Sequence, residues 1–334
     1  SIIAVFVARP FAGIVRTGPA ASVQWRRTGM MSEPKGPLHA RGRIAQWVHG
    51  ARLYSLTITV APILVGVGLV LGTTGAVATG PVVAATVSAL SIQIATNLAN
   101  DAADGASGLD APDRIGPARL TGSGALSPGT VRAGALVMTA LAAVSGLVAV
   151  WSGGWPILAI GIASILAGWA YSFGPRPISG SPFGEVCVVV FFGVLAVSGT
   201  AWLAGGVFGV LPVLLGVAIG LPAAAVLTVN NHRDRVQDQR GGRRTLAICL
   251  GPRRTTWLYG AQMTGASLIA AMSVAPMTPV GAAILALGAV LGGWMGIRLA
   301  RTPPGPLLSR RLAETARYQL VLAVVLAFIL VWRP

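Results

Sequence analysis

All six aspartates of the 334-residue chain fall in two short stretches. Asp101, Asp104, Asp110 and Asp113 form one; Asp234 and Asp238 form the other. Polar residues precede both inside apolar surroundings: Gln93, Asn97 and Asn100 before the first, Asn230 and Asn231 before the second. On a helix, Gln93, Asn97, Asp101 and Asp104 share an arc of about 80°, and Asn231, Asp234 and Asp238 one of about 60°. Each stretch therefore points a polar stripe in one direction. Arg114, Arg119, Arg243 and Arg244 lie within a few residues of the clusters. Paired carboxylates beside arginines suit a diphosphate bridged by Mg²⁺. That ion prefers oxygen ligands and binds through one or two carboxylates plus phosphate oxygens. Arginine supplies a planar, always charged fork for phosphate. The alternative is that aspartates cap helices and sit in loops. It leaves the alignment of Asn and Gln at membrane depth unexplained, where polar residues are costly and mostly functional.

The elements that carry these stripes must be membrane helices. Hydrophobic residues make up 54% of the chain and charged residues 10%, far below the roughly 25% charged of a soluble domain. Nine windows are apolar enough to span a bilayer, near 53–72, 80–99, 131–151, 155–172, 184–204, 210–230, 255–274, 278–297 and 314–332. None alternates with the period of a barrel strand. The expected fold is an all-α integral membrane protein of nine transmembrane helices, with the aspartate stretches at the ends of the second and sixth.

Charge sets the expected orientation. Of 25 basic residues, 24 fall in the N-terminal segment or near every second loop, and only Arg333 follows the last window. The positive-inside rule then places the N-terminus in the cytoplasm, the C-terminus outside and both aspartate stretches on the cytoplasmic side. The net charge of +16 reads as basic loops against anionic headgroups of the lipid bilayer. The basic residues are divided among loops rather than gathered in one stripe, so a nucleic-acid partner is not expected.

Residues 1–42 read as a weakly ordered basic cytoplasmic tail, and 43–334 as the membrane domain. The run Ile2–Ala8 has no basic segment before it and makes a poor signal peptide. Met30-Met31 offers an alternative start. Around Arg43–Gly50, Ile44, Trp47 and Val48 give an amphipathic pattern that suits a short interfacial helix. Cys187 and Cys249 fit neither a disulfide framework nor a zinc spacing and read as packing residues. A transporter is the competing class, since two polar helix ends four windows apart resemble a parallel repeat. Against it, no polar residue marks the opposite halves of the windows.

At the aspartates the chain resembles the UbiA superfamily of intramembrane aromatic prenyltransferases. The first motif is Asn97-Leu-Ala-Asn100-Asp101-Ala-Ala-Asp104; the second is Asn231-His-Arg-Asp234-Arg-Val-Gln-Asp238. The finer resemblance, over residues 43–332, is to the 1,4-dihydroxy-2-naphthoate polyprenyltransferases of menaquinone synthesis. Five stretches carry it: Trp47–Gly66, Asn97–Leu120 with its Asp-Arg-x-Gly-Pro-x-Arg run, Gly184–Thr200, Asn230–Gly251 and Leu312–Leu320. Three positions depart from the family's usual residues: Ala102 where an aromatic is common, Arg243 in a Gly-Lys-Arg-Thr block, and Tyr171-Ser172-Phe173-Gly174 for Tyr-Thr-Gly-Gly.

The resemblance implies a nine-helix enzyme of the cell membrane, with its active site facing the cytoplasm. Its partners are a polyprenyl diphosphate and 1,4-dihydroxy-2-naphthoate, and its cofactor is Mg²⁺. Asp101 and Asp104 are expected to bind one metal ion and Asp234 and Asp238 the other, with Asp110 a further candidate ligand. Asp113, after Pro112, reads as a turn residue. Arg114, Arg119, Arg243 and Arg244 are expected on phosphate. Arg52 either reaches phosphate or anchors the first span. Asn97 and Asn231 either join the substrate site or hydrogen-bond between helices. Glu185 either faces the acceptor or stabilises a helix start. Tyr171 either offers its π face to a carbocation or marks the membrane interface. The alternative acceptor within the family is 4-hydroxybenzoate.

Overall fold

A computed structural model describes Leu38, residues 41–107 and residues 116–332. The tail residues 1–37, together with Asp110, Asp113 and Arg114, lie outside the described residues. Among those described, every regular element is a helix. The short α1 (Arg43–Ala51) precedes α2 (Leu56–Thr74) and α3 (Thr79–Ala106). Then follow α4 (Pro128–Ser172), α5 (Gly184–Val189), a π-turn segment (Val190–Val194) and α6 (Leu195–Gly205). The chain closes with α7 (Val210–Arg240), α8 (Leu246–Val274), α9 (Pro279–Ala300) and α10 (Leu307–Val331).

Local chemistry sets several of these boundaries. The Ser127 hydroxyl accepts from the Thr130 amide at 3.2 Å, and Pro128 opens α4 where its missing N–H costs nothing. Thr278 and Pro279 repeat the device at α9, with 3.2 Å from the Gly281 amide. Inside α4, Gly154 adopts φ 67° and ψ −158°, which a side chain would resist, and Pro156 follows. The 45 residues of α4 are thus two helical pieces joined at Gly154.

Seven helical stretches are long and apolar enough to cross a membrane: Leu56–Thr74, Thr79–Ala106, Pro128–Ser172, Gly184–Gly205, Val210–Arg240, Pro279–Ala300 and Leu307–Val331. Nine windows were expected. Two of them, 131–151 and 155–172, fall within the single stretch of α4. The second difference is α8, which is not among the seven. Its Thr255, Thr256, Gln262, Ser267 and Ser273 lower its hydropathy, and all five are buried in the protein. Gln262 accepts from Thr228 of α7 at 3.1 Å, and Ser267 pairs with Tyr318 of α10 at 2.6 Å. Such interhelical bonds are worth about 0.6 kcal/mol on average in a membrane protein.

The main core joins α2, α6, α7, α8 and α10 through Val65, Leu69, Val197, Leu215, Ile219, Met263 and Leu326. A second cluster (Leu98, Leu120, Val131 and Ala135, with Trp47 against it) ties α3 to α4 and α1. The π-turn segment crosses α7 where Gly216 and Gly220 form a Gly-x-x-x-Gly pair. A Cβ on Gly193 would stand 2.7 Å from the Gly220 Cα, so this approach requires glycine.

Candidate active site

Both aspartate pairs lie in the last turns of long helices, α3 and α7, whose C-terminal carbonyls already favour cations. All four carboxylates are buried: Asp101 and Asp104 are each 2% exposed, Asp234 8% and Asp238 7%. Buried charges need partners, and the partners differ from one aspartate to the next. Asp101 turns to the loop after α3. Its oxygens accept from the Leu120 amide at 3.0 Å, the Thr121 amide at 3.1 Å and the Thr121 hydroxyl at 2.5 Å. Asp104 pairs with Arg119 at 2.6 Å and with Arg243. The same Arg243 donates to Asp238 at 3.0 Å. One guanidinium therefore joins the two motifs. Burial works against the Arg243 charge, but the Asp104 and Asp238 carboxylates outweigh it and raise its pKa above the ordinary arginine value.

Asp234 is held by its sequence neighbour. Arg233 donates to both its oxygens, at 2.7 and 2.8 Å, and also to Asn230 at 2.8 Å and Ser309 at 3.3 Å. Arg233 was not foreseen as a site residue. Its position within the second motif, next to Asp234, was the available signal.

The remaining expected residues divide. Asn97 donates to the Ala51 carbonyl at 3.0 Å and the Ser55 hydroxyl at 3.1 Å, so its amide nitrogen makes interhelical bonds. Asn231 donates to Glu185 at 3.0 Å. Glu185 lies in the first turn of α5, 4% exposed, and serves as that partner. Arg52 is half-buried in a left-handed conformation, φ 53°, at the junction of α1 and α2. Arg244 is exposed, with its amide bound to the Gly180 carbonyl at 2.8 Å. Cys187 and Cys249 are free thiols. Among the described residues, no three His, Cys, Asp or Glu side chains stand together as a ready metal cage. The carboxylates are instead drawn apart onto guanidinium and N–H groups.

A cavity of about 570 Å³ runs into the bundle beside Asp101, Arg119 and Arg233; Asp104, Asp234, Asp238 and Arg243 do not line it. Arg52, Asn97, Asn100, Asp101, Arg119 and Arg233 line one part of it. Ile63, Val82, Leu147, Ile157, Phe192 and Leu203 line the remainder. Its wall follows α3 from Val82 to Asp101, about 28 Å at 1.5 Å per residue, close to the thickness of a bilayer's hydrocarbon core. Tyr171 also lines it, beside neither aspartate pair in sequence. The π-turn segment brings Phe191 and Phe192 to the wall.

Fold and site together define a helical membrane protein with charged and polar side chains at one part of a long, largely apolar cavity. The model of the UbiA prenyltransferase family matches residues 59–312, and the chain belongs to that family. A 1,4-dihydroxy-2-naphthoate octaprenyltransferase of Mycobacterium tuberculosis (strain ATCC 25618 / H37Rv) is 39% identical over 216 residues, covering 64% of this chain and 73% of the relative. One from Mycobacterium leprae (strain TN) is 33% identical over 284 residues, 85% of this chain and 95% of the relative. The solved structure of a UbiA homolog from Archaeoglobus fulgidus, bound to DMAPP and Mg²⁺, has TM-score 0.63 at 17% identity, over 86% of this chain and 99% of that one. That likeness shows the fold. The chain is a multi-pass helical membrane protein.

Proposed function

We propose that this protein transfers a polyprenyl chain from polyprenyl diphosphate to 1,4-dihydroxy-2-naphthoate, with loss of the ring carboxylate as CO₂. The product is demethylmenaquinol, and the pathway is menaquinone biosynthesis. One observation carries the reading. Relatives at 33–39% identity bear the name of that enzyme, and in this chain Asp101, Arg52, Arg119 and Arg233 line one part of a long apolar cavity.

The donor set fits Mg²⁺. Asp101, Asp104, Asp234 and Asp238 offer hard carboxylate oxygens, with no thiol or imidazole among them. Asp110, outside the described residues, remains a candidate fifth. Bound there, Mg²⁺ supplies charge neutralisation to the diphosphate as a leaving group. The protein's own groups act around it. Arg119 and Arg243 sit on the carboxylates and are placed to turn to phosphate oxygens as bidentate donors. Arg114 and Arg244, close in sequence, are assigned the same partner, and Arg52 and Arg233 on the cavity wall face the same head group. Asn97 and Asn231 hold the helix ends in register through Ser55 and Glu185. The apolar wall takes the prenyl chain, whose burial is worth about 0.8 kcal/mol per CH₂, and keeps water from the allylic cation.

The diphosphate leaves with the electron pair of the allylic C–O bond. The ring carbon bearing the carboxylate, made electron-rich by the hydroxyl ortho to it, attacks the cation. Expulsion of CO₂ returns the pair to the ring and restores aromaticity. No ring proton is lost, and no strong base at the ring is required.

Nine spans, a cytoplasmic N-terminus and tail (1–42), an outside C-terminus and a site facing the cytoplasm at the cell membrane complete the reading. The break at Gly154 and the inward-facing polar residues of α8 support that count. In a protein lacking Cys187 and Cys249, single cysteines replacing Ala76 and Pro303 are expected to label from opposite sides. Labelling from one side contradicts the topology.

The chemistry is tested with purified protein, polyprenyl diphosphate and carboxyl-labelled naphthoate. Label is expected to leave in step with product. Label retained in the product, or turnover with 4-hydroxybenzoate alone, overturns the acceptor assignment.

A further inference from the structure

Among the described residues, two buried, uncharged side chains on the cavity wall carry a polar atom with no hydrogen-bond partner: Gln93 Oε1 and Thr59 Oγ1. Gln93 is 8% exposed and Thr59 4%. Neither is left so by poor packing alone. The Gln93 amide nitrogen is directed to the Ser55 hydroxyl at 3.4 Å, and Ser55 also receives Asn97 at 3.1 Å. That bond turns the nitrogen of Gln93 toward α2. Ser55 and Thr59 are one turn apart at the start of α2, as Gln93 and Asn97 are on α3. Three other hydroxyls on the wall are satisfied: Thr86 by the Val82 carbonyl, Ser88 by Ala142 and Thr96 by Ile92.

An unpaired buried acceptor is costly unless a ligand supplies the missing donor. Of the two substrates in the reading above, on which this inference rests, only one has such a donor. The prenyl chain is hydrocarbon. The diphosphate is an anion that an amide oxygen repels. A dihydroxylated aromatic ring carries two O–H donors. Depth agrees with chemistry. Gln93 lies two turns before Asp101 on α3, about 12 Å deeper. The ring must meet the first carbon of the prenyl chain, just beyond the diphosphate and short of the apolar remainder of the cavity.

We propose that Gln93 Oε1 and Thr59 Oγ1 form the recognition subsite for the aromatic acceptor, with Gln93 accepting from a ring hydroxyl and Thr59 bonding a second oxygen of the same ring. The subsite selects electron-rich phenols over aromatic rings of equal size without hydroxyls, since a ring without them leaves both buried atoms unpaired.

The test separates the two substrates. Gln93→Met keeps volume and removes the acceptor atom; Thr59→Val removes the hydroxyl alone. The KM for the aromatic acceptor is expected to rise about tenfold in Gln93→Met and about threefold in Thr59→Val. The KM for polyprenyl diphosphate should stay within twofold in both. An unchanged acceptor KM in Gln93→Met overturns the subsite, as does a parallel rise of both KM values, which marks general loosening of the helices. A wrong acceptor class shows first in the wild-type product, before any variant is made. The same pair of KM values, read with the acceptor then found, still decides the subsite.

Discussion

The two carboxylate pairs have the same place on their helices and different support. On α7, Asp234 is held locally, whereas Asp238 depends on Arg243 beyond the end of the helix. Arg233, the residue before Asp234, grips both its oxygens and also bonds Ser309 of α10. The pair on α3 is held from afar. Asp101 depends on Leu120 and Thr121, Asp104 on Arg119 and Arg243. The α3 pair thus depends on the loop that follows it and on Arg243, whereas on α7 Asp234 arrives with its own counter-charge. Arg243 belongs to both. Substrate handling is therefore expected to reach the α3 side through loop rearrangement and the α7 side through exchange of ion partners within one helix.

Three substitutions sharpen this contrast. Arg243→Ala removes the shared cation and leaves Asp104 and Asp238 facing each other without it. Activity is expected to fall about 100-fold, with a raised KM for polyprenyl diphosphate. A loss below threefold in a steady-state assay would mean that the bridge has no part in the site. Thr121→Val comes next, since it takes one oxygen from Asp101 and loosens the loop. An activity loss of about tenfold and a lower melting temperature are expected. Ser309→Ala, the corresponding change on the α7 side, is expected to cost less than threefold. If Ser309→Ala costs as much as Thr121→Val, the asymmetry between the pairs is wrong.

Much of this was legible in residue order, for physical reasons. Apolar runs of spanning length and the 3.6-residue period place Gln93, Asn97, Asp101 and Asp104 on one stripe. The short helix α1 follows from the amphipathic pattern of Ile44, Trp47 and Val48. What remained hidden were the partners. Asn231 meets Glu185 across 46 residues, and Arg243 meets Asp104 across 139. A helical period gives the direction of a side chain but not what stands opposite. Asp101 illustrates the limit. Its type and spacing suggest a metal ligand, and in the structure it also ties down the turn at Leu120 and Thr121. The cavity acceptors on Gln93 and Thr59 were equally out of reach, because an unpaired atom is defined by neighbours from two helices.

The central claim is that two aspartate pairs, 130 or more residues apart in the chain, form one site for a single diphosphate. Equilibrium binding of a prenyl thiodiphosphate, a poorly reactive analogue, to the purified protein tests it most directly. One site per chain is expected in the presence of Mg²⁺, lost on adding a chelator and restored by Mg²⁺. Asp104→Asn and Asp234→Asn should each weaken that binding at least about 100-fold while the protein still inserts and purifies, because either amide keeps the shape and loses the charge. Wild-type affinity in either variant, or binding indifferent to the chelator, would contradict a shared metal-dependent site.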